Sequence, residues 1–461
     1  MSRTPLLVAL LAACSFPPPP DIDPPNGPGV PDDAQNDAPA DSAPIDAPPD
    51  APDVPGTVLQ VSPTGDDAND GLALPVKTLK HAIGLAAANP QLTKITLAAG
   101  RYSTATGETF PYTIPANLAL VGPAGGGAIL VGSKAEPGLS IGAATLQDIE
   151  FEDFTTAITA TGTSIVRNVR IRTTSAPMVV ESAAKLTLDN VDITGVLGGC
   201  TTGIVLNGAA DLTASSLATR SLGTTLEAKD QSTINIRGAS ISGDRNCQSQ
   251  AFNRAVISLK TNKSFVLSDG VIDGGVNGVL IETTSSDVTI VRSTIRNMKF
   301  SAINGGESIV RVTDSELSSN GDGGISAGRG NYSLTNVTMR NNGIWGIFFW
   351  GDPSPQRGTL TMRGCTISGP ADGLSLWNFA VVDLGTSGSP GNNTFQATSG
   401  VALFMDSAIG PAVVVNAVGN TWRPVQGANA SGRYSNVTVQ TTADRLSGNN
   451  YAITAPWRLN L

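Results

Sequence analysis

Val312-Thr313-Asp314-Ser315-Glu316-Leu317 is followed, twenty-two residues on, by Leu334-Thr335-Asn336-Val337-Thr338-Met339. Both read apolar, two polar, small, polar, apolar, and the phrase extends in both directions. Upstream it stands at residues 166–171, 188–193, 214–219, 236–241, 267–272 and 290–295, and downstream at 362–367. First positions are 22 to 31 residues apart, a period that marks a stacked array. The third residue of each phrase is Asn168, Asn190, Ser216, Gly238, Asp269, Arg292, Asp314, Asn336 and Gly364. All but Ser216 and Arg292 are Asn, Asp or Gly, the types that tolerate a left-handed backbone. Each phrase therefore reads as two short strands meeting at one sharp corner.

A further strand lies upstream of many corners, as in Gly203-Ile204-Val205-Leu206, Gly324-Ile325-Ser326-Ala327, Gly346-Ile347-Phe348-Phe349 and Gly373-Leu374-Ser375-Leu376. Three short strands with turns between them describe one rung of a parallel β-helix. The expectation is an all-β fold: one right-handed, single-stranded parallel β-helix solenoid of eleven to fourteen rungs, the hand taken from the general crossover preference. A solenoid grows in one dimension, so 461 residues fit one such unit. The 51 glycines and the low charge suit strands and tight turns.

The front of the chain is different. Residues 1–13 read as a signal peptide, with an apolar run from Leu6 to Ala13 that is too short to span a bilayer. Leu11-Ala12-Ala13-Cys14 resembles the bacterial lipoprotein signal, which implies that Cys14 becomes the lipidated first residue. Residues 14–56 continue as a spacer rich in Pro, Asp and Ala, with no means of building a core. Residues 1–56 hold nine Asp and one Arg, leaving 28 basic and 29 acidic residues in the remainder. A near-neutral folded part argues against nucleic acid as a partner. The lipoprotein resemblance implies a membrane partner through the anchor, and a cell-envelope location at the outer membrane of a Gram-negative-type bacterium. The chain is expected to be a monomer.

Residues 57–135 read as an N-terminal cap and the first rungs, and 136–461 as the β-helix proper. The cap contains a short helix from Lys77 to Ala88 with apolar residues on one face and Thr78 as its cap. Such a helix covers the unpaired edges at the end of a solenoid. Three phrases carry a resemblance here: Val61-Ser62-Pro63-Thr64-Gly65-Asp66-Asp67-Ala68-Asn69-Asp70-Gly71, then Lys77-Thr78-Leu79-Lys80-His81-Ala82-Ile83, then Gly107-Glu108-Thr109-Phe110-Pro111. With Gly391-Asn392-Asn393-Thr394-Phe395 and Gly419-Asn420-Thr421-Trp422, they resemble the family called domain of unknown function 1565. The likeness runs from about residue 58 to the C-terminus. It implies the pectate-lyase-like parallel β-helix, whose wider relatives, family-nine polysaccharide lyases among them, act on acidic polysaccharides.

Few residues promise chemistry. Asp66, Asp67 and Asp70 are clustered oxygen ligands of the kind calcium takes, and equally the ordinary material of turns. His81, the only histidine, sits on the helix as a structural residue, so zinc sites and Ser-His-Asp triads are excluded. Cys365 occupies the small inward slot and reads as a buried thiol. Cys200 and Cys247 lie in turns two rungs apart, so a disulfide requires both loops to lean together. Aligning strands by their Gly-apolar starts sets Trp350, Trp377 and Phe404 in one outward column. With Asp352 and Arg357 beside it, this ladder is a platform for polysaccharide, unless a loop folds over it. Three functions stay open: a surface lipoprotein that binds polysaccharide, a polysaccharide lyase or hydrolase, and a structural or adhesive surface protein. No Lys or carboxylate pair matches a catalytic motif, and Lys185, Lys229, Lys260 and Lys263 show no partner pattern.

Overall fold

The computed structural model describes residues 58–172, 175–249, 254–282, 286–350, 358–377, 381–396, 403–406, 414–423, 438–440, 451–453 and 458–460. Cys14 and the spacer therefore lie outside the described residues, as do Asp352 and Arg357. The chain coils as a parallel β-solenoid of about twelve turns. One face stacks fourteen described strands from Tyr112–Ile114 to Tyr451–Ile453, all paired parallel to their neighbours in the stack. The other two faces meet at the corners and form one continuous ladder. That ladder runs through position 135 without a break, since Ala128–Val131 pairs with Ile149–Glu152.

The repeated phrase sets the register. Ile290, Val312, Leu334 and Met362 are successive partners along one strand ladder. Across the corner, Ile295, Leu317, Met339 and Ile367 form the matching ladder. All eight are buried. Each such aliphatic side chain contributes roughly 1.5–3 kcal/mol by leaving water. Between the two ladders the chain turns on one residue, and all nine corner positions adopt a left-handed backbone, with φ from 45° at Arg292 to 64° at Gly238. A second set of left-handed residues, Ser221, Asn297, Ser319 and Asn341, ends the following strands and was not legible as a column in the sequence.

The fourth position of the phrase is apolar in most rungs but polar at Ser293 and Ser315. The Ser293 hydroxyl accepts from the Gly270 N–H, and the Ser315 hydroxyl accepts from the Ser293 N–H, both at 3.1 Å. Two rungs beyond Ser315, the Cys365 N–H donates to Asn393 Oδ1 at 2.8 Å, and the Asn393 N–H donates to Asn420 Oδ1 at 3.0 Å. Cys365 is a buried free thiol, as expected, and burial pushes its pKa up to about 11. A separate buried pair, Asn320 and Asn342, stitches the turn before the third strands. Asn342 Oδ1 accepts both the N–H and the Nδ2 of Asn320 at 3.0 Å.

At the N-terminal end, Val58–Val61 pairs with Lys94–Leu97 and the helix Leu79–Ala88 packs Leu79, Ala82 and Ala86 inward. The helix starts two residues later than the sequence suggested because Thr78 is its N-cap, accepting the His81 N–H at 3.1 Å. Two loops do lean together to join Cys200 and Cys247, with Cα atoms 5.4 Å apart. The rung between them turns at Gly223, where a Cβ would press on the Cys200 backbone at 2.9 Å. The bare glycine lets the outer loops close over it. The buried Asp244 carboxylate ties them further, accepting from the Gly198 N–H at 2.5 Å and the Asn246 N–H at 2.8 Å.

Candidate functional site

The acidic loop is stitched to its own backbone. Asp66 Oδ1 accepts the Ala68 N–H at 3.0 Å, and Asp70 Oδ1 accepts from Leu72 and Ala73 at 2.9 and 3.0 Å. Asp67 accepts from the Lys77 and Thr78 N–H groups and from the Thr78 hydroxyl, each at 2.8 Å. Burial works against its charge, yet these bonds hold the Asp67 carboxyl below its ordinary value. No group of three or more His, Cys, Asp or Glu side chains able to hold a metal occurs among the described residues. These carboxylates build the turn and the start of the capping helix, so the calcium reading of Asp66, Asp67 and Asp70 finds no support in their geometry.

Glu108, from the third cap phrase, is a residue whose role the sequence did not reveal. It is 1% exposed, and its carboxylate accepts the Leu79 N–H at 2.9 Å and the Tyr112 hydroxyl at 2.7 Å. Burial raises its pKa, opposed by these hydrogen bonds. Its hydrogen bonds tie the cap helix to the strand Tyr112–Ile114.

Three of the four lysines that looked unpartnered are engaged. Lys260 lies 3.1 Å and Lys229 3.6 Å from Glu227 Oε1, and Lys185 lies 3.6 Å from Asp211. The arginines pair along the axis as well: Arg292 with Asp269, Arg296 with Asp273, Arg340 with Glu316. Asp383, one of the acids near the aromatic strands, is held by Arg363 at 2.7 Å and accepts the Gly385 N–H at 2.9 Å. Position 383 is thus a structural tie.

The aromatic strands are Trp345–Trp350 and Asp372–Trp377, which pair parallel with Phe348 opposite Ser375 and Trp350 opposite Trp377. Phe349 and Leu376, just before the two tryptophans, are fully buried. Phe404 departs from the expected column. Leu403 pairs with Leu374, which sets Phe404 beside Ser375 and leaves Asp406 opposite Trp377. The Gly-apolar start at Val401 is two residues out of step with the observed pairing, so in register Trp350 is the partner of Trp377 alone, and Phe404 falls in line with Ser375 and Phe348.

Two aromatic residues absent from the expected ladder complete this face. The rings of Trp345 and Phe348 lie 4.5 Å apart, tilted by 32°. Gly346 explains why alternation alone missed Trp345. A Cβ at Gly346 would strike the core residue Ile367, so Gly346 and Ile347 both face inward and Trp345 is left outside. Asp322 and the exposed Ile344 precede the strands in adjacent rungs, joined by the Ile344 N–H to Asp322 carbonyl bond of 2.8 Å. Lys299 sits over the ring of Phe300, 5.0 Å from its centroid.

The family described as "Protein of unknown function (DUF1565)" matches residues 63–426. No curated protein matches the chain. Among solved structures, a GH87 α-1,3-glucanase catalytic domain in complex with tetrasaccharides is similar at 12% identity and a TM-score of 0.44, covering 82% of this chain and 71% of that one. The catalytic unit of a thermostable GH87 α-1,3-glucanase from Streptomyces thermodiastaticus strain HF3-3 is similar at 17% identity and a TM-score of 0.41, covering 69% of each. The A-module of the mannuronan C-5 epimerase AlgE6 from Azotobacter vinelandii gives 12% and 0.35, covering 72% of this chain and 95% of that one. At these scores the likenesses carry no argument about activity.

Proposed function

We propose that this chain, which belongs to the DUF1565 family, is a polysaccharide-binding protein held at the cell envelope by a lipid on Cys14. The observation that carries the reading is the cluster of aromatic residues at neighbouring positions on one face of the solenoid. Trp345 and Phe348 stack, and the same strand ends at Trp350, in register with Trp377. Strands one rung apart are about 4.8 Å from each other, close to the length of one sugar unit. Aromatic faces at that spacing give a glycan chain successive apolar surfaces to lie on. Binding is put ahead of turnover because no Lys or carboxylate pair matches a catalytic motif, and Asp383 and Lys260 are tied to Arg363 and Glu227.

The test is retention of the chain on a panel of acidic and neutral polysaccharides, with and without calcium, while unsaturated products and new reducing ends are followed. Retention without products, abolished by Trp350→Ala with Trp377→Ala, is the expected result. Unsaturated ends would make the protein a lyase, and neither retention nor products would return it to a structural role.

A further inference from the structure

Trp345 is held in an unusual way. A Cβ at Gly323, its strand partner in the preceding rung, would collide with Cδ1 and Nε1 of the indole. The pyrrole edge therefore lies against the glycine backbone. The Nε1–H is enclosed there and has no hydrogen-bond partner. An unpaired buried donor is unfavourable, so this placement of the ring calls for an explanation.

Acidic residues flank it in both neighbouring rungs. Asp322 immediately precedes Gly323, is partly buried, and makes no hydrogen bond or ion pair through its carboxylate among the described residues. Asp372 is the partner of Trp345 in the next rung. The nearby described cations are committed elsewhere: Lys299 covers Phe300, and Arg329 pairs with Glu307. Acids beside an aromatic ring accept hydroxyl protons from an uncharged sugar and repel a sugar carboxylate.

Resting on the binding function above, we infer that Trp345 and Asp322 form a subsite for an uncharged sugar unit, and that the ligand is a neutral polysaccharide, not a uronate polymer. Trp345 supplies the stacking face, Gly323 sets its position, and Asp322 accepts hydroxyl hydrogen bonds and excludes acidic chains.

The experiment compares the full chain, in mild detergent, on neutral glucan, mannan and xylan with alginate and polygalacturonate, at low and high salt. The neutral polymers are expected to bind at least about tenfold more tightly at low salt. Asp322→Asn should improve retention on the uronate polymers at low salt and weaken neutral binding about threefold to tenfold, since it removes a charged acceptor of hydroxyl hydrogen bonds. Gly323→Ala should weaken neutral binding about tenfold, with an unchanged circular dichroism spectrum. Preferential uronate binding overturns the inference and leaves the binding function standing. So does neutral binding that Trp350→Ala with Trp377→Ala abolishes but Asp322→Asn and Gly323→Ala do not alter. Absence of binding to every polymer overturns both.

Discussion

Glu108 shows how a single buried carboxylate holds the cap to the solenoid, since it joins the first N–H of the helix to the Tyr112 hydroxyl. Glu108→Ala leaves the Leu79 N–H and the Tyr112 O–H without their acceptor, although the Tyr112 oxygen still accepts the Thr109 N–H, and should cost about 2–4 kcal/mol, read by urea denaturation. Its pKa is raised in the folded chain, chiefly by burial. The folded state therefore binds more protons than the unfolded one above the ordinary glutamate range. Its contribution to stability is full below that range and is lost as pH rises through the folded pKa. Stability curves should show this fall in the native chain, and Glu108→Gln should flatten it. The corners offer the opposite kind of test. Ser216 is exposed and held at φ 54°. Ser216→Gly relieves an unfavourable left-handed backbone and should stabilise the protein by about 0.5–1 kcal/mol, measured as a shift in the urea midpoint. These corners were legible because tolerance of that backbone is written in residue type. The role of Glu108 was not, because its partner Leu79 is 29 residues away.

At the scale of the element, strands within a rung make few contacts with one another, and stacking does the work. The Asn320–Asn342 pair links turns of neighbouring rungs, and Asn342 Nδ2 also donates to the Leu317 carbonyl at 3.1 Å. Asn342→Ala removes acceptors from two buried donors of Asn320 and should destabilise by about 2–4 kcal/mol. Hydrogen exchange should then rise first in the turns at 319–322 and 341–344. The disulfide acts on a different element. Its closure of a 47-residue separation gives an expected stabilisation of about 2–4 kcal/mol. Reduction should loosen the loops at 195–200 and 244–249 while the strand ladder keeps its protection. Pairing of the two cysteines was undecided in the sequence because the decisive residue, Gly223, belongs to the rung between them. The Phe404 column failed for a related reason. Its strand was aligned by a local Gly-apolar phrase, whereas register is set by the inward residues, and Leu403 took the place assigned to Val401.

The described solenoid stacks repeated rungs whose interior is apolar and whose outer charges pair from rung to rung. Most of those ion pairs are solvent-exposed, so each contributes little, and their main effect is to leave the surface near neutral. In the function proposed above, recognition falls to the aromatic face and attachment to the front end. Replacing Cys14 with Ser should move the protein from the membrane to the soluble fraction of cells, if lipidation anchors it; unchanged fractionation would remove that part of the proposal. The measurement that bears most directly on function is the affinity of the full chain for neutral polysaccharide, compared with Trp345→Ala and with Trp350→Ala, Trp377→Ala. Thermal unfolding of each variant should be recorded alongside. The expected result is saturable binding by the native chain, lost or weakened at least about tenfold in both variants with melting temperatures unchanged. Equal binding by all three proteins would contradict the assignment of this face as the glycan site.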